Sequence, residues 1–147
     1  MEPNFYDHEY LIVDEITYRF KEPQRGDVIV FRYPRDPQEY FIKRLIGLPG
    51  EKIQVKDGQV YIYDDQDSEK IILDEPYLLA GTKTYSLTED IITLEDDEYY
   101  VLGDNRNSSK DSRSFGPVDR SFVSGRVLLR GWPFNRISFF TTLVYQY

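Results

Sequence analysis

Short apolar runs closed off by Gly and Pro constrain this 147-residue chain more than any other feature. Val28-Ile29-Val30-Phe31 is stopped by Pro34, Tyr40 to Ile46 by Gly47-Leu48-Pro49-Gly50, and Glu98 to Leu102 by Gly103. Such β-branched and aromatic runs are strand chemistry, because their side chains pack on a pleated surface and lose freedom in a helix. The 13 Tyr and 9 Phe, against one Trp, point the same way. Asp57-Gly58, set between Lys52–Lys56 and Gln59–Tyr63, is the strongest local signal, since it tolerates the positive φ that a tight hairpin turn demands. The expected fold is mostly β: antiparallel sheets in a partly closed barrel or sandwich, with little helix.

The length suits one domain over residues 1–147, with a small insert at about 52–98. Glu9 to Glu15 reads as a first strand, Lys21 to Gly26 as a turn, and Pro34-Arg35-Asp36-Pro37 as a loop. Asp64 to Lys70 is an acidic surface loop without the glycine spacing of a calcium site. Leu73 to Asp97 mixes loop with short strand. Val118 to Phe122 adds a helical turn, and Gly125 to Trp132 a last long strand. Phe139-Phe140 and Tyr145 either belong to an apolar rim that touches lipid or pack under that strand. The strand pattern begins almost at once after Met1-Glu2-Pro3-Asn4-Phe5, as expected of a chain cut from a longer one.

Charge and composition remove several classes of chemistry. A net charge of -8 argues against a nucleic-acid or anionic-membrane partner that depends on a basic surface. Without cysteine there is no disulfide, thiolate nucleophile or cysteine-zinc site. The single histidine, His8, excludes a multi-histidine metal centre and reads as an exposed turn residue. No metal or cofactor is expected. No apolar run approaches the ~20 residues that span a bilayer.

Lys43 is the residue with chemical promise. With a side-chain period of two, Phe41, Lys43 and Leu45 share one face, and Tyr40, Ile42, Arg44 and Ile46 the other. Neither face is polar, so the strand reads as covered on both sides. Burial disfavours an ammonium, lowering its pKa from roughly 10.4 toward values at which the neutral amine is a general base. The competing reading is that Lys43 lays its stem over apolar neighbours and keeps its head in water, and from the strand alone this is the commoner case. The second candidate is the unbroken polar stretch from Gly103 to Ser114. Its backbone needs inward hydrogen bonds unless the whole loop is solvated. Asp111 and Arg113 can form a two-pronged carboxylate-guanidinium clamp, and Ser109 can project on the same side.

Taken in order, Arg25-Gly26-Asp27-Val28-Ile29-Val30-Phe31, Lys43-Arg44-Leu45-Ile46-Gly47-Leu48-Pro49-Gly50-Glu51 and Gly103-Asp104-Asn105-Arg106 through Asp111-Ser112-Arg113 resemble three successive sequence boxes of the type I signal peptidases. The likeness runs from Met1-Glu2-Pro3 to Trp132-Pro133-Phe134-Asn135-Arg136-Ile137. It implies a Ser-Lys dyad endopeptidase that removes signal peptides from exported proteins, anchored in the membrane with its catalytic domain on the extracytoplasmic side. On the matching positions Lys43 is the general base, Ser109 orients the amine, and Asp111 with Arg113 braces the site. Arg44 supports its strand. Tyr40, Phe41 and Ile42 pair with extended substrate, and Met1, Pro3, Phe5, Phe41 and Ile42 line shallow pockets for small residues. Asn107 stands where many members carry an acidic residue. The resemblance puts the nucleophilic serine immediately before Met-x-Pro, one position ahead of Met1. This chain by itself is therefore expected to be inactive, and the membrane anchor is expected in the missing part. Two other readings are a self-cleaving repressor-like Ser-Lys protease and a catalytically dead β domain that binds extended peptides or an export component.

Overall fold

The computed structural model describes residues 1–63 and 70–140. Eleven strands form two antiparallel sheets. The larger contains β1 (Tyr10–Asp14), β2 (Val28–Tyr33), β3 (Asp36–Gly47), β8 (Glu98–Leu102), β9 (Val118–Asp119), β10 (Val123–Trp132) and β11 (Ser138–Phe139). Their order is β1-β10-β2-β3-β8-β9, and β11 also pairs with β10. The smaller sheet runs β6-β5-β4-β7, from β4 (Lys52–Lys56), β5 (Gln59–Tyr63), β6 (Lys70–Ile72) and β7 (Ile92–Thr93). Among the described residues the one α-helical turn is α1 (Ser112–Phe115).

Side-chain alternation assigns the two faces of β3 to different cores. Leu45 packs with Ile29, Phe31, Tyr99, Val101 and Val118 in one cluster. Ile46 instead joins Tyr100 and Leu102 against Ile53, Val55, Val60 and Ile62 of the small sheet and Leu94 just after β7. The insert is therefore welded to the β3-β8 end of the large sheet by apolar burial. Its hairpin forms as the sequence demands, with Asp57 at φ 52° and Gly58 at φ 80°.

Three details differ from expectation. The reversal between β2 and β3 is confined to Pro34-Arg35, and Asp36 and Pro37 join β3. Pro37 is tolerated because that stretch of β3 has a strand on one side only, so its missing N–H costs no ladder bond. The same openness leaves Tyr40 63% exposed, so β3 is covered on both faces only toward its C-terminal end. A helical turn also arises at Ser112–Phe115, inside the polar stretch, besides the 3-10 turn at Arg120–Phe122. The acidic loop at residues 64–69 and the packing of Tyr145 lie outside the described residues.

The N-terminal segment is tied across the end of β10 by charge. The Glu9 carboxylate is enclosed between Arg136 at 2.7 Å and Arg130 at 3.3 Å, and Arg130 also donates to the Asn4 carbonyl at 2.7 Å. Asn4 in turn donates to Asp104 at 2.7 Å and to the Tyr77 carbonyl at 3.0 Å. These bonds lead Met1 to Phe5 back to the point where β3 and β8 meet.

Candidate active site

Lys43 projects from β3 toward the turn that follows β8. Its Nζ donates to the Ile42 carbonyl at 3.1 Å and lies 5.4 Å from the centre of the Phe41 ring. Burial pushes the amine below its ordinary value, and the carboxylates of Asp111 and Asp104 act in the opposite sense. Met1 lies at the same turn, its Sδ accepting from the Asp104 amide at 3.4 Å.

Gly103 makes room for the Ser109 hydroxyl. A Cβ at this position would meet Ser109 Oγ at 2.0 Å and Lys43 Cδ at 3.6 Å, so Ser109 sits on bare backbone beside the lysine stem. Ser109 Oγ is buried without a hydrogen bond of standard geometry, though it lies near enough to Asp111 to help hold that carboxylate ionised. Gly103→Ala is expected to displace Ser109 at a cost of roughly 1–3 kcal/mol, read as a lower urea midpoint at unchanged slope.

Asp111 organises the rest of the loop. It adopts the extended backbone of an N-cap, accepts from the Arg113 amide, and holds Arg113 through Nε at 2.8 Å and Nη2 at 2.8 Å. Its Oδ2 also accepts from the Gly103 amide at 3.0 Å, tying loop to β8. Burial of Asp111 opposes ionisation, but the hydrogen bonds and charge of Arg113 outweigh it and keep the carboxyl below the usual range. The loop's other hydroxyls are partly committed elsewhere: Ser112 Oγ accepts from the Val101 amide, and Ser114 Oγ donates to the Asp111 carbonyl.

Lys43, Ser109, Asp111 and Arg113 thus come together, with Met1 beside them. Ile42 and Met1 flank one cluster with Val28 and Val127, in which Phe5 is a core residue stacked on Phe140 at 4.6 Å. Phe41 faces the opposite way, stacked on Tyr33 at 4.6 Å and near Phe115. Pro3 lines a separate depression with Glu2, Tyr6 and Asn105. His8 is exposed, with φ 66°.

Sequence reasoning gave Arg44 a supporting place on its strand but missed the partners that frame the site. Asp104 is fully buried and clasps Arg44 through two bonds, at 2.9 and 2.8 Å. Arg44 also donates to the Gly26 carbonyl and lies 4.0 Å over the Tyr77 ring. Arg106 is held by Glu75 and Thr84 of the insert. An acid and a guanidinium directly after a strand-ending glycine were the available signal, but their partners lie far off in sequence.

The β3 edge beside Lys43 is open. Leu45 exchanges backbone bonds with Gly26 and Asp27 on the β2 side, so by the period of two Ile42 and Tyr40 turn their N–H and C=O groups to the other edge. On that edge β8 pairs only from Arg44 onward, and among the described residues no strand pairs ahead of it.

Residues 1–132 match the family model "Signal peptidase, peptidase S26". A probable signal peptidase I-2 of Synechocystis is 39% identical over 147 residues, covering 96% of this chain and 63% of that protein. A signal peptidase I of Leptolyngbya laminosa is 39% identical over 145 residues, covering 93% of this chain and 66% of that protein. The chain thus spans just under two thirds of the length of these relatives. The crystal structure of a signal peptidase I from Enterococcus faecalis superposes with a TM-score of 0.59 at 35% identity, covering 73% of this chain and 97% of that one. The chain belongs to the signal peptidase I family, peptidase S26.

Proposed function

We propose that this chain is the catalytic β domain of a serine endopeptidase that removes N-terminal signal peptides from exported proteins through a Ser-Lys dyad. The observation that carries this reading is the lysine amine, lowered in pKa by burial, beside a buried serine hydroxyl and at the end of an unpaired strand edge. An extended peptide adds to the Tyr40–Ile42 edge through main-chain hydrogen bonds, with Met1 and Ile42 bounding the apolar side. The nucleophile is a serine joined to Met1 in the parent protein. Met1 itself lies at the turn after β8, its Sδ accepting from the Asp104 amide at 3.4 Å, which favours this assignment.

In the reaction, neutral Lys43 takes the serine proton as the hydroxyl oxygen attacks the scissile carbonyl. The tetrahedral intermediate collapses, the C–N bond breaks, and the lysine's proton passes to the leaving amine. Water, deprotonated by the same amine, then hydrolyses the acyl-enzyme. Ser109 Oγ, unpartnered beside the lysine stem in this structure, is placed to accept from the amine and aim it during the reaction, while Asp111 and Arg113 keep the Ser109 loop against Gly103. The oxyanion is held by the serine's own N–H and a group upstream of it.

Membrane association at the extracytoplasmic face belongs to the same proposal. No helix among the described residues is long and apolar enough to cross a membrane. The apolar rim of Tyr10, Ile12, Trp132, Phe134 and Phe139 supports contact with lipid beside the anchor.

The decisive test is cleavage of a precursor peptide whose leader ends in Ala-x-Ala. The 147-residue chain is expected to be inactive and a form extended through the preceding serine active. Cleavage by the unextended chain overturns the nucleophile assignment, and silence of both forms transfers weight to a peptide-binding domain.

A further inference from the structure

The peptidase reading accounts for the residues ahead of the cleaved bond and leaves open what receives the residues behind it. A substrate whose earlier residues lie beside Tyr40 and whose scissile bond lies at Lys43 runs parallel to β3. It cannot continue along that strand, because Leu102 of β8 occupies the edge at Arg44. The departing chain must turn out of the sheet where Gly103 to Ser109 crosses its path.

Two depressions lie against that crossing. One is lined by Glu2, Pro3 and Tyr6 on the side of the N-terminal segment. The other, of about 340 Å³, lies between Tyr85 and Leu87 of the insert and Asn107, Ser109 and Arg113 of the catalytic loop. Only the second of these includes Ser109, the residue that also touches the space beside Lys43. Its size falls within the ~300–1,000 Å³ of ligand clefts.

Its chemistry is that of a site for uncharged side chains. Arg113 is neutralised by Asp111, and Arg106 by Glu75, so neither guanidinium offers an unbalanced charge. Tyr85 and Leu87, 62% and 96% exposed, give that side of the cleft an apolar wall open to solvent. The Tyr85 carbonyl accepts from Arg113 Nη1 at 3.0 Å, which ties this part of the insert to the residue that braces Asp111.

We infer that the cleft between Tyr85-Leu87 and Asn107-Ser109 is the subsite for the first residues downstream of the scissile bond, selecting apolar or small uncharged side chains there. This rests on the peptidase reading. It gives the insert a role in substrate choice.

The test compares two substrates of the serine-extended chain with the same leader. One continues for about six residues beyond the cleavage point with leucine at the second, and the other ends in a small amine dye directly after Ala-x-Ala. Leu87→Asp, at a side chain almost wholly in solvent, leaves the fold intact. It is expected to lower kcat/KM roughly tenfold on the extended peptide and less than about twofold on the dye substrate. Replacing the downstream leucine by alanine should remove most of the difference between wild type and variant. Equal losses on both substrates, or no loss on either, overturn the subsite. If the unaltered extended chain cleaves neither substrate, the peptidase reading falls first and the subsite with it.

Discussion

Lys43→Met in the serine-extended chain lowers kcat for a leader-peptide substrate by at least roughly a thousandfold, with KM changed by no more than about twofold. Methionine keeps the length and apolar stem of lysine, so the packing beside Gly103 survives while the amine and its contact with the Phe41 ring disappear. The loss falls on kcat because the amine acts on the serine proton in the transition state rather than on the bound peptide. The pH dependence supplies the sign. In the proposed mechanism the active base is the neutral amine, so kcat/KM of the serine-extended chain is expected to rise with pH and level off above the lysine pKa, which burial holds below 10.5. Folding responds to the same shift. Between the lowered folded value and 10.5 the unfolded chain binds more protons at this site, so the Lys43 contribution to stability grows as pH rises through that window. Lys43→Met removes a buried amine and should therefore fold at least as well at neutral pH, which separates lost chemistry from lost structure. A variant that retains more than about a tenth of wild-type kcat sinks the assignment of Lys43 as base.

Much of the scaffold was legible because it is locally encoded. β2, β8 and both strands of the β4-β5 hairpin fall on the residues read from alternation and turn chemistry, and Asp57-Gly58 takes the backbone its sequence dictates. The Asp111-Arg113 clamp was also legible, since its partners are two residues apart. What escaped is long-range. Arg44 finds Asp104 at a separation of 60 residues, Asn4 finds Asp104 at 100, and Glu9 finds Arg130 at 121. No period or turn signal announces such pairs, because they are chosen by the sheet order that brings β3, β8 and β10 together. The open edge of β3 was equally hidden, since whether a strand has one neighbour or two is a property of topology. The turn α1 went unseen because a polar loop masks a four-residue helix, although Asp111 is a typical N-cap.

Asp104→Ala is expected to destabilise the 147-residue chain by about 3–5 kcal/mol, the usual cost of stranding one member of a buried ion pair. The Asp104 side chain is wholly enclosed and that of Arg44 is 7% exposed, so water cannot replace the lost carboxylate. Arg44 would keep the Gly26 carbonyl and the Tyr77 ring, neither of which carries the charge of the lost carboxylate. Asn4 would lose one of its two acceptors, loosening the segment that brings Met1 beside Lys43. Urea unfolding at unchanged slope measures the loss. Asp104→Asn retains an acceptor and should cost less. Arg44→Met combined with Asp104→Leu should recover much of the Asp104→Ala loss, because two apolar groups leave no buried charge. The consequence reaches catalysis through geometry. Arg44 follows Lys43 on the opposite face of β3, so anchoring Arg44 to Asp104 sets the rotation of the strand that holds the Lys43 stem beside Gly103. A cost below about 1 kcal/mol for Asp104→Ala would show that β3 is oriented by its apolar neighbours alone. A large cost recovered by the apolar pair, without recovery of cleavage in the serine-extended chain, would show that the ion pair is kept for the position of Lys43 rather than for stability.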